Sequence, residues 1–233
     1  MERVIVLGSV FLPGFVMDPL VLALRRRGST AECVAPPFDG SVNAIAEGYA
    51  SAARRLRATT LIAHSNAGNF VPAVVAGSAV NRVVFLDAAL PPLRGGTWPL
   101  VPERLGETLL SRAKGGFLPP WTRWWPEADV RSLFPDGATY ERVDASAPPV
   151  PASYLSARIS APQNWLADLT CSYVAFGDTY ADAASVAADA GWPVRTLPLG
   201  HLGMLQDPDT VADAVCGIWR ISHGVAPPLR PHG

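Results

Sequence analysis

Leu61-Ile-Ala-His-Ser65-Asn-Ala-Gly68-Asn-Phe70 is the most informative stretch of this chain. Thr59–Ala63, which lead up to the histidine and the serine, are apolar or β-branched, as is typical of a buried strand. The residues from Asn66 to Ala76 predict a helix. A serine on a sharp strand-to-helix turn is raised above the edge of a sheet, beside the backbone N–H groups of the helix N-terminus. The stretch therefore predicts a nucleophilic serine at position 65.

The residues around Ser65 satisfy the steric demand of such a turn. The backbone and the flanking Cβ atoms come close together, so the positions two before and two after the serine must be small. Ala63 and Ala67 occupy them, and Gly68 follows. The usual motif is G-x-S-x-G, so alanine at both positions is a departure that still respects the volume limit. A purely structural interpretation also exists, in which Ser65 only caps the following helix.

Strand-like runs alternate with helix-length segments along most of the chain. Ser41 and Asp207 are suited to cap two of the helices, and Asp18-Pro19 is suited to open another. The alternation predicts an α/β fold with a mostly parallel sheet of about six strands and helices on both faces. The predicted strands are Arg3–Leu7, Ala31–Ala35, Thr59–Ala63, Arg82–Leu86, Ser172–Phe176 and Pro193–Leu197.

The alternation breaks after the fourth strand. Residues 91–165 are rich in proline, glycine and aromatic residues and include five of the seven tryptophans. Helices are expected near Glu103–Lys114 and Glu127–Phe134 within this insertion, and near Asp182–Ala190 and Pro208–Arg220 after it. The expected organisation is a core formed by residues 1–90 and 166–224, a lid formed by residues 91–165, and a flexible tail at residues 225–233.

Composition excludes several classes of function. The chain has 233 residues, 49% of them hydrophobic, and a formal net charge of −1, so it has no basic field for nucleic acid or an anionic membrane. No segment has the pattern of a signal peptide or a membrane span, and Cys33, Cys171 and Cys216 are widely spaced and odd in number. We therefore expect a cytoplasmic protein with free thiols, no metal or other cofactor and a small-molecule substrate; the sequence does not indicate its oligomeric state.

Five stretches resemble the α/β-hydrolase superfamily, specifically its small esterase and hydroxynitrile-lyase-like members. Gly8-Ser9 resembles the oxyanion turn of that superfamily, although Leu7 stands where a histidine is usual, and the nucleophile turn at Ser65 is similar to that of its members. Three more stretches show a resemblance: Phe38-Asp39-Gly40 to the loop after the second strand, Phe85-Leu86-Asp87-Ala88 with Pro91 to the strand end that leads into the lid, and Leu199-Gly200-His201-Leu202 to the histidine loop before the final helix.

His201 is the predicted general base. It follows the last strand, at the carboxyl edge where doubly wound folds place their sites, and it comes after Ser65 in the chain order that the superfamily uses. His64 precedes the serine on a strand, so its side chain should point away and pack against neighbours. His223 and His232 lie in or near the tail. The alternative for His201 is an ordinary loop histidine.

The acid that orients the histidine is expected just past the strand Ser172–Phe176. The resemblance implies a carboxylate three residues after a glycine, but Tyr180 stands third after Gly177. Asp178 is the preferred candidate. Asp182, which could instead cap the following helix, and Asp87, which follows the fourth strand, are the alternatives.

Two backbone N–H groups are predicted to form the oxyanion hole, those of Asn66 and Ser9, with Val10 as the next choice for the second. Val10, Trp98 and Trp124 are the predicted substrate contacts. The tryptophans of the insertion could either roof the serine or simply pack the lid onto the core. A roof with little charge favours a hydrophobic or aromatic acyl substrate.

The leading hypothesis for function is a serine hydrolase that cleaves an ester or thioester through an acyl-Ser65 intermediate, with His201 as general base. A lyase, cyclase or acyltransferase that uses the histidine–acid pair, for example in secondary metabolism, is the second hypothesis. A third is a homologue that binds its ligand without converting it. Substrate conversion without uptake of water would favour the second, and a ligand that is bound unchanged would favour the third.

Overall fold

The computed structural model describes residues 2–35 and 41–221. A six-stranded, wholly parallel sheet with the order β2-β1-β3-β4-β7-β8 forms the centre. Its strands are β1 (Arg3–Leu7), β2 (Thr30–Val34), β3 (Thr60–Ser65), β4 (Arg82–Ala88), β7 (Thr170–Phe176) and β8 (Val194–Leu197). The predicted α/β fold with six strands is confirmed.

The chain reverses direction across the sheet at β1, which lies between β2 and β3. Register pairs Leu7 with Ala63, and Ala63 in turn with Phe85, so the carboxyl ends of β1, β3 and β4 meet at one edge. β3 is buried along its whole length, and β4 and β7 are buried at all but their first residue, as in parallel sheets covered on both faces. This edge holds the residues that the sequence singled out.

Helices surround the sheet in two groups, since α1, α8 and α9 contact one another and α2 contacts α3. Ser41 caps α2 as predicted, because its Oγ accepts the N–H of Ala44, and Asp207 caps α9 by accepting the N–H of Thr210. These helices are α1 (Asp18–Arg26), α2 (Val42–Leu56), α3 (Val71–Val75), α7 (Ala181–Asp189), α8 (Gly203–Gln206) and α9 (Pro208–Ile221).

Two helix starts differ from the prediction. Asp18 is the first residue of α1 rather than its cap, because a 3-10 turn at Gly14–Met17 leads directly into the helix. The segment after Ser65 begins as a 3-10 helix at Asn66–Phe70 and becomes α-helical only at Val71–Val75.

The chain between β4 and β7, residues 89–169, is called here the β4–β7 connection. It contains a small antiparallel pair that the sequence did not predict, in which Trp98 faces Ile159. Its elements are β5 (Gly96–Pro99), α4 (Glu103–Leu110), α5 (Glu127–Arg131), α6 (Gly137–Ala145) and β6 (Arg158–Ala161). Trp121, Trp124 and Trp165 are buried and belong to the same hydrophobic cluster as the sheet.

In the two described ranges, no helix combines the length and the apolar character that crossing a membrane would require. Four features that the sequence analysis singled out lie outside the described residues. They are the loop Phe38-Asp39-Gly40, the tail at residues 225–233, and His223 and His232.

Candidate active site

Ser65 lies at a strained turn between β3 and the 3-10 helix. Its backbone angles are φ 58° and ψ −132°, a region that residues with a Cβ atom rarely occupy. The pairing of β3 with β4 shifts between His64 and Ser65, so that Ser65 pairs with Ala88. Ser65 is the N-cap residue of the 3-10 helix, yet its side chain makes no capping hydrogen bond. The helix-cap interpretation therefore does not account for the hydroxyl.

Small residues are needed around this turn, as the sequence indicated. Ala63 and Ala67 are fully buried. A Cβ atom at Gly68 would overlap the carbonyl oxygen of Ala89, which follows β4. Because backbone cannot yield as a flexible side-chain end can, the close approach of the helix to the end of β4 requires glycine at position 68.

His201 lies next to Ser65. Its Nε2 is 3.0 Å from Ser65 Oγ, and the histidine is 5% exposed. It follows β8 in a tight loop, in which the N–H of Gly203 donates to the carbonyl of Gly200. The loop after the last strand thus carries the imidazole back over the carboxyl edge of β3.

The carboxylate beside His201 belongs to Asp87. Asp87 Oδ2 is 2.6 Å from His201 Nδ1, and Asp87 Oδ1 accepts the N–H of Phe176 at 2.9 Å. The carboxylate is fully buried, and both of its oxygens have partners. This geometry indicates the tautomer in which Nδ1–H donates to Asp87 and the Nε2 lone pair faces Ser65.

The choice of Asp178 as the acid is therefore wrong, and Asp87, one of the two alternatives, takes the position. Gly177 has a φ of 53°, and after this turn Asp178 is exposed to solvent. Asp182 is also exposed and lies in the first turn of α7. Neither carboxylate hydrogen bonds to His201, whose Nδ1 is already satisfied by Asp87.

A second imidazole, that of His64, packs against the ring of His201. His64 is fully buried, as expected of a packed neighbour, and its ring stacks on that of His201 with centroids 4.7 Å apart. His64 Nε2 is 3.1 Å from the carbonyl oxygen of His201. Burial, and in second place the proximity of the His201 imidazole, hold the pKa of His64 well below its ordinary value of 6.5, so His64 stays neutral.

Tyr180 is a neighbour of Ser65 that the sequence analysis did not assign. Its hydroxyl is 3.5 Å from Ser65 Oγ, and its ring lies 5.7 Å from that of His201. The signal was present, because Tyr180 stands third after Gly177, where the resemblance implies the acid. Position 180 does face the histidine and the serine, but it carries a phenol.

The two predicted oxyanion donors belong to the loop after β1 and to the start of the 3-10 helix after β3. Asn66 is the first residue of the 3-10 helix, where a backbone N–H has no partner within the helix. Ser9 follows β1 by two residues, its Oγ accepts the N–H of Phe11, and its own backbone N–H donates to none of the described residues. Asn66 lines the cavity above Ser65 whereas Ser9 does not, and the roles of both N–H groups in an oxyanion hole stay predictions.

A cavity of about 700 Å³ opens above Ser65. Ser65, His201 and Tyr180 line it, together with the predicted contacts Trp98 and Trp124. Val10 is not among its lining residues, which corrects that prediction: the Val10 side chain is buried in the core, and its neighbour Phe11 reaches the cavity instead. Most of the other lining residues are apolar: Ala89, Leu90, Pro99, Leu100, Val101, Pro102, Leu105, Trp121, Trp125, Val130 and Leu133.

Hydrogen bonds tie the β4–β7 connection to the helix after Ser65. Asn66 Nδ2 donates to the carbonyl of Leu100 at 2.7 Å, and Tyr154 Oη donates to Asn66 Oδ1 at 2.5 Å. Asn69 Nδ2 also donates to Leu100, and Trp98 Nε1 donates to Asn69 Oδ1 at 2.9 Å. The two buried asparagines therefore fix the roof of the cavity relative to its floor.

Within residues 2–35 and 41–221, no cluster of three or more His, Cys, Asp or Glu side chains is arranged to hold a metal ion. The reactive groups that the described residues bring together here are the Ser65 hydroxyl, the His201 imidazole, the Asp87 carboxylate and the Tyr180 phenol. A serine hydroxyl that donates to a neutral imidazole, itself oriented by a carboxylate, is the arrangement that activates a nucleophile.

No protein-family model and no curated protein sequence matches the chain. Solved structures do match it over nearly its whole length. An extracellular α/β-hydrolase from a Paenibacillus species, described as homologous in structure and function to tobacco Salicylic Acid Binding Protein 2, is 16% identical with a TM-score of 0.72, and the match covers 94% of this chain and 99% of that one.

Two other enzymes are similarly close in structure. Tomato methylketone synthase I, solved with 2-tridecanone, is 11% identical with a TM-score of 0.68 and coverage of 95% of this chain and 98% of that one. A pyrethroid hydrolase from Sphingobium faniae JZ-2 is 17% identical with a TM-score of 0.62 and coverage of 93% and 96%. At these identities the likeness establishes architecture, and the chain has the α/β-hydrolase fold.

Proposed function

We propose that the protein is a serine hydrolase that cleaves an ester or thioester of a hydrophobic or aromatic substrate through an acyl-Ser65 intermediate. The observation that carries the proposal is the hydrogen-bonded chain Asp87–His201–Ser65 on the floor of an aromatic cavity. The solved structures with the same fold include a pyrethroid hydrolase and an extracellular α/β-hydrolase, which agrees with hydrolysis.

The geometry supports a two-step reaction. His201 Nε2 takes the Ser65 proton as Oγ attacks the acyl carbon, and it then gives that proton to the departing oxygen or sulfur. Asp87 keeps the imidazole in the required tautomer and stabilises the imidazolium that forms. The backbone N–H groups of Asn66 and Ser9 would bind the oxyanion, and water attacking the acyl-enzyme with His201 as base would complete the cycle.

The cavity favours a neutral, apolar acyl group. Its volume of about 700 Å³ is that of a pocket for a small molecule, and its walls are predominantly aromatic and aliphatic. None of the described residues that line it is a lysine or an arginine, and Asp129 is the one carboxylate among them. An anionic ester would therefore find no countercharge at the described wall. In this proposal residues 91–165 act as the lid.

Labelling and mutation test the proposal together. A fluorophosphonate probe should modify Ser65, identified by peptide mass, and Ser65→Ala should abolish turnover of short p-nitrophenyl esters because it removes the attacking oxygen. Ser185→Ala, at an exposed position on α7, is the matched control and should leave both signals unchanged. A folded wild-type sample that is neither labelled nor active would contradict the proposal.

A lyase, cyclase or acyltransferase remains the second candidate. It is favoured by the fold shared with tomato methylketone synthase I and by a His201–Asp87 pair that could exchange protons without a covalent intermediate. Under this alternative Ser65→Ala would retain substantial turnover, whereas His201→Ala would not. A ligand bound without conversion would point to a binding homologue.

The cytoplasmic location expected from the sequence stays a prediction. The Paenibacillus hydrolase of the same fold is described as extracellular, so the fold is compatible with either location. Fractionation of the source cells would decide between them.

A further inference from the structure

The Tyr180 hydroxyl occupies a place at the reacting atoms that the proposed mechanism does not use. It lies 3.5 Å from Ser65 Oγ and lines the cavity. Ser65 Oγ is its hydrogen-bond partner within the part of the chain that the structure describes. Because Ser65 donates its single proton to His201 Nε2, the phenol must be the donor in this contact.

Two contacts hold the phenol in this place, one through the backbone of Tyr180 and one through its ring. Tyr180 is the N-cap residue of α7, and its carbonyl accepts the N–H of Ala184 at 3.0 Å. Its ring is tilted by 38° against that of His201, at a centroid distance of 5.7 Å. Burial raises the pKa of Tyr180 to about 12, so the group keeps its proton at neutral pH and can only donate or accept as a neutral phenol.

This placement matters because the departing oxygen of an ester must approach the same space. His201 Nε2 lies 3.0 Å from Ser65 Oγ, and the leaving oxygen has to come near that nitrogen to receive its proton. A donor within reach of Ser65 Oγ and packed against the imidazole is therefore also within reach of that oxygen. The oxyanion donors Ser9 and Asn66 are backbone groups for the other oxygen, the one that comes from the carbonyl.

We propose that Tyr180 is a further catalytic residue, a neutral donor that hydrogen bonds to the leaving-group oxygen as the acyl–oxygen bond breaks. The inference rests on the proposed hydrolase function. The Ser65 Oγ–carbon bond forms, the carbon–oxygen bond to the leaving group breaks, and the Ser65 proton passes through His201 Nε2 to the departing oxygen. Tyr180 keeps its own proton throughout and stabilises the partial negative charge on that oxygen before the proton arrives.

The proposal predicts a dependence on the leaving group. A poor leaving group such as an alkoxide carries more charge that needs a donor than p-nitrophenolate does. Tyr180→Phe should therefore lower kcat/KM by about 10²-fold for an ethyl ester but by less than about threefold for the p-nitrophenyl ester of the same acid. A plot of log kcat/KM against leaving-group pKa should become steeper in the variant.

Tyr140→Phe is the matched control, since Tyr140 is a buried tyrosine of α6 outside the cavity lining. It should leave the slope unchanged. Tyr180→Leu, which also removes the ring, should show the same steepened slope as Tyr180→Phe. Equal losses for all esters, or no loss, would overturn the role of Tyr180 while fluorophosphonate labelling of Ser65 still stood. Failure of Ser65 labelling would instead overturn the hydrolase function itself.

Discussion

At the scale of single residues, Ser65 and Asp87 share a backbone feature that explains why their side chains meet at His201. Both have positive φ, 58° and 43°; Ser65 is the last residue of β3, and Asp87 is the last residue but one of the neighbouring strand β4. Such conformations cost about 1–3 kcal/mol each and persist only where surrounding contacts hold them. Here the N–H of Ala89 donates to the carbonyl of Ser65. The Tyr173 hydroxyl accepts the N–H of Ala88 and donates to the carbonyl of the same residue.

Replacement of the buried carboxylate tests the assignment of the acid. Asp87→Asn should lower kcat by about 10⁴-fold, because an amide cannot stabilise the imidazolium and can hold His201 in the wrong tautomer. Steady-state kinetics with a p-nitrophenyl ester would measure the loss. The fold should survive, since Asn can still accept the N–H of Phe176.

Asp178→Asn is the control for this prediction and should change kcat by less than about twofold, because the exposed carboxylate does not contact His201. A large loss in Asp178→Asn with little loss in Asp87→Asn would restore the acid predicted from the sequence.

The sequence identified Ser65 and His201 because each sits in a local pattern with few alternatives. The acid was harder, since Asp87 near the end of β4 and Asp178 just after β7 belong to strands that end at the same edge of the sheet. Which side chain faces the imidazole depends on the backbone angles of Asp87 and Gly177, both with positive φ, and periodicity does not report those angles. Tyr180 was missed as a contact for the same reason.

At the scale of elements, the β4–β7 connection is fixed to the helix after Ser65 by buried side-chain hydrogen bonds rather than by packing alone. Asn66 and Asn69 both donate to the carbonyl of Leu100, and Trp98 donates to Asn69. All of these groups are buried, so loss of one partner leaves another polar atom without a hydrogen bond.

Trp98→Phe should therefore loosen the roof of the cavity. It leaves Asn69 Oδ1 unsatisfied, at a cost of about 1–3 kcal/mol, and it removes part of the aromatic wall. We expect a rise in KM of about tenfold and faster amide hydrogen exchange in β5 and β6, measured by mass spectrometry.

Trp165→Phe is the matched control, because it also removes an indole hydrogen bond of the same connection, the one from Trp165 Nε1 to the carbonyl of Pro92. Trp165 does not line the cavity above Ser65, so the KM of this variant should equal that of the wild type. Similar KM changes in the two variants would mean that the roof is not specifically tied down through Asn69.

The elements were predicted unevenly. The strands of the parallel sheet agree with the sequence analysis to within about two residues, because continuous apolar runs between turn residues identify buried strands. The pair β5–β6 was missed, since each strand has only four residues and its partner lies far away along the chain. Short-range periodicity contains no information about such a pairing.

At the scale of the whole molecule, a neutral histidine in the core couples stability to pH. His64 belongs to β3, and its side chain is fully buried against the loop of His201. Its Nε2 contacts the His201 carbonyl, and its Nδ1 has no hydrogen-bond partner among the described residues. Protonation would place a charge there without a countercharge and next to a second imidazole, which is why its pKa lies well below 6.5.

The sign of the effect follows from proton binding. Above about pH 6.5, the ordinary pKa of histidine, His64 is neutral in both the folded and the unfolded state. Below that pH the unfolded chain binds a proton at His64 and the folded protein does not, so the free energy of unfolding falls. Between pH 7.5 and 5.5 this group should account for a loss of about 1.4 kcal/mol, measured by urea unfolding. His64→Gln keeps a donor for the His201 carbonyl but cannot titrate. Between the same two pH values, the free energy of unfolding of this variant should therefore fall by about 1.4 kcal/mol less than that of the wild type.

Other titrating groups do not affect this comparison. Asp144 and Asp209 have pKa values lowered from 3.8 by arginine partners, so they lose their contributions to stability only at lower pH. Parallel pH profiles for the two proteins would mean that His64 is protonated in the folded state and that its stacking on His201 tolerates the charge.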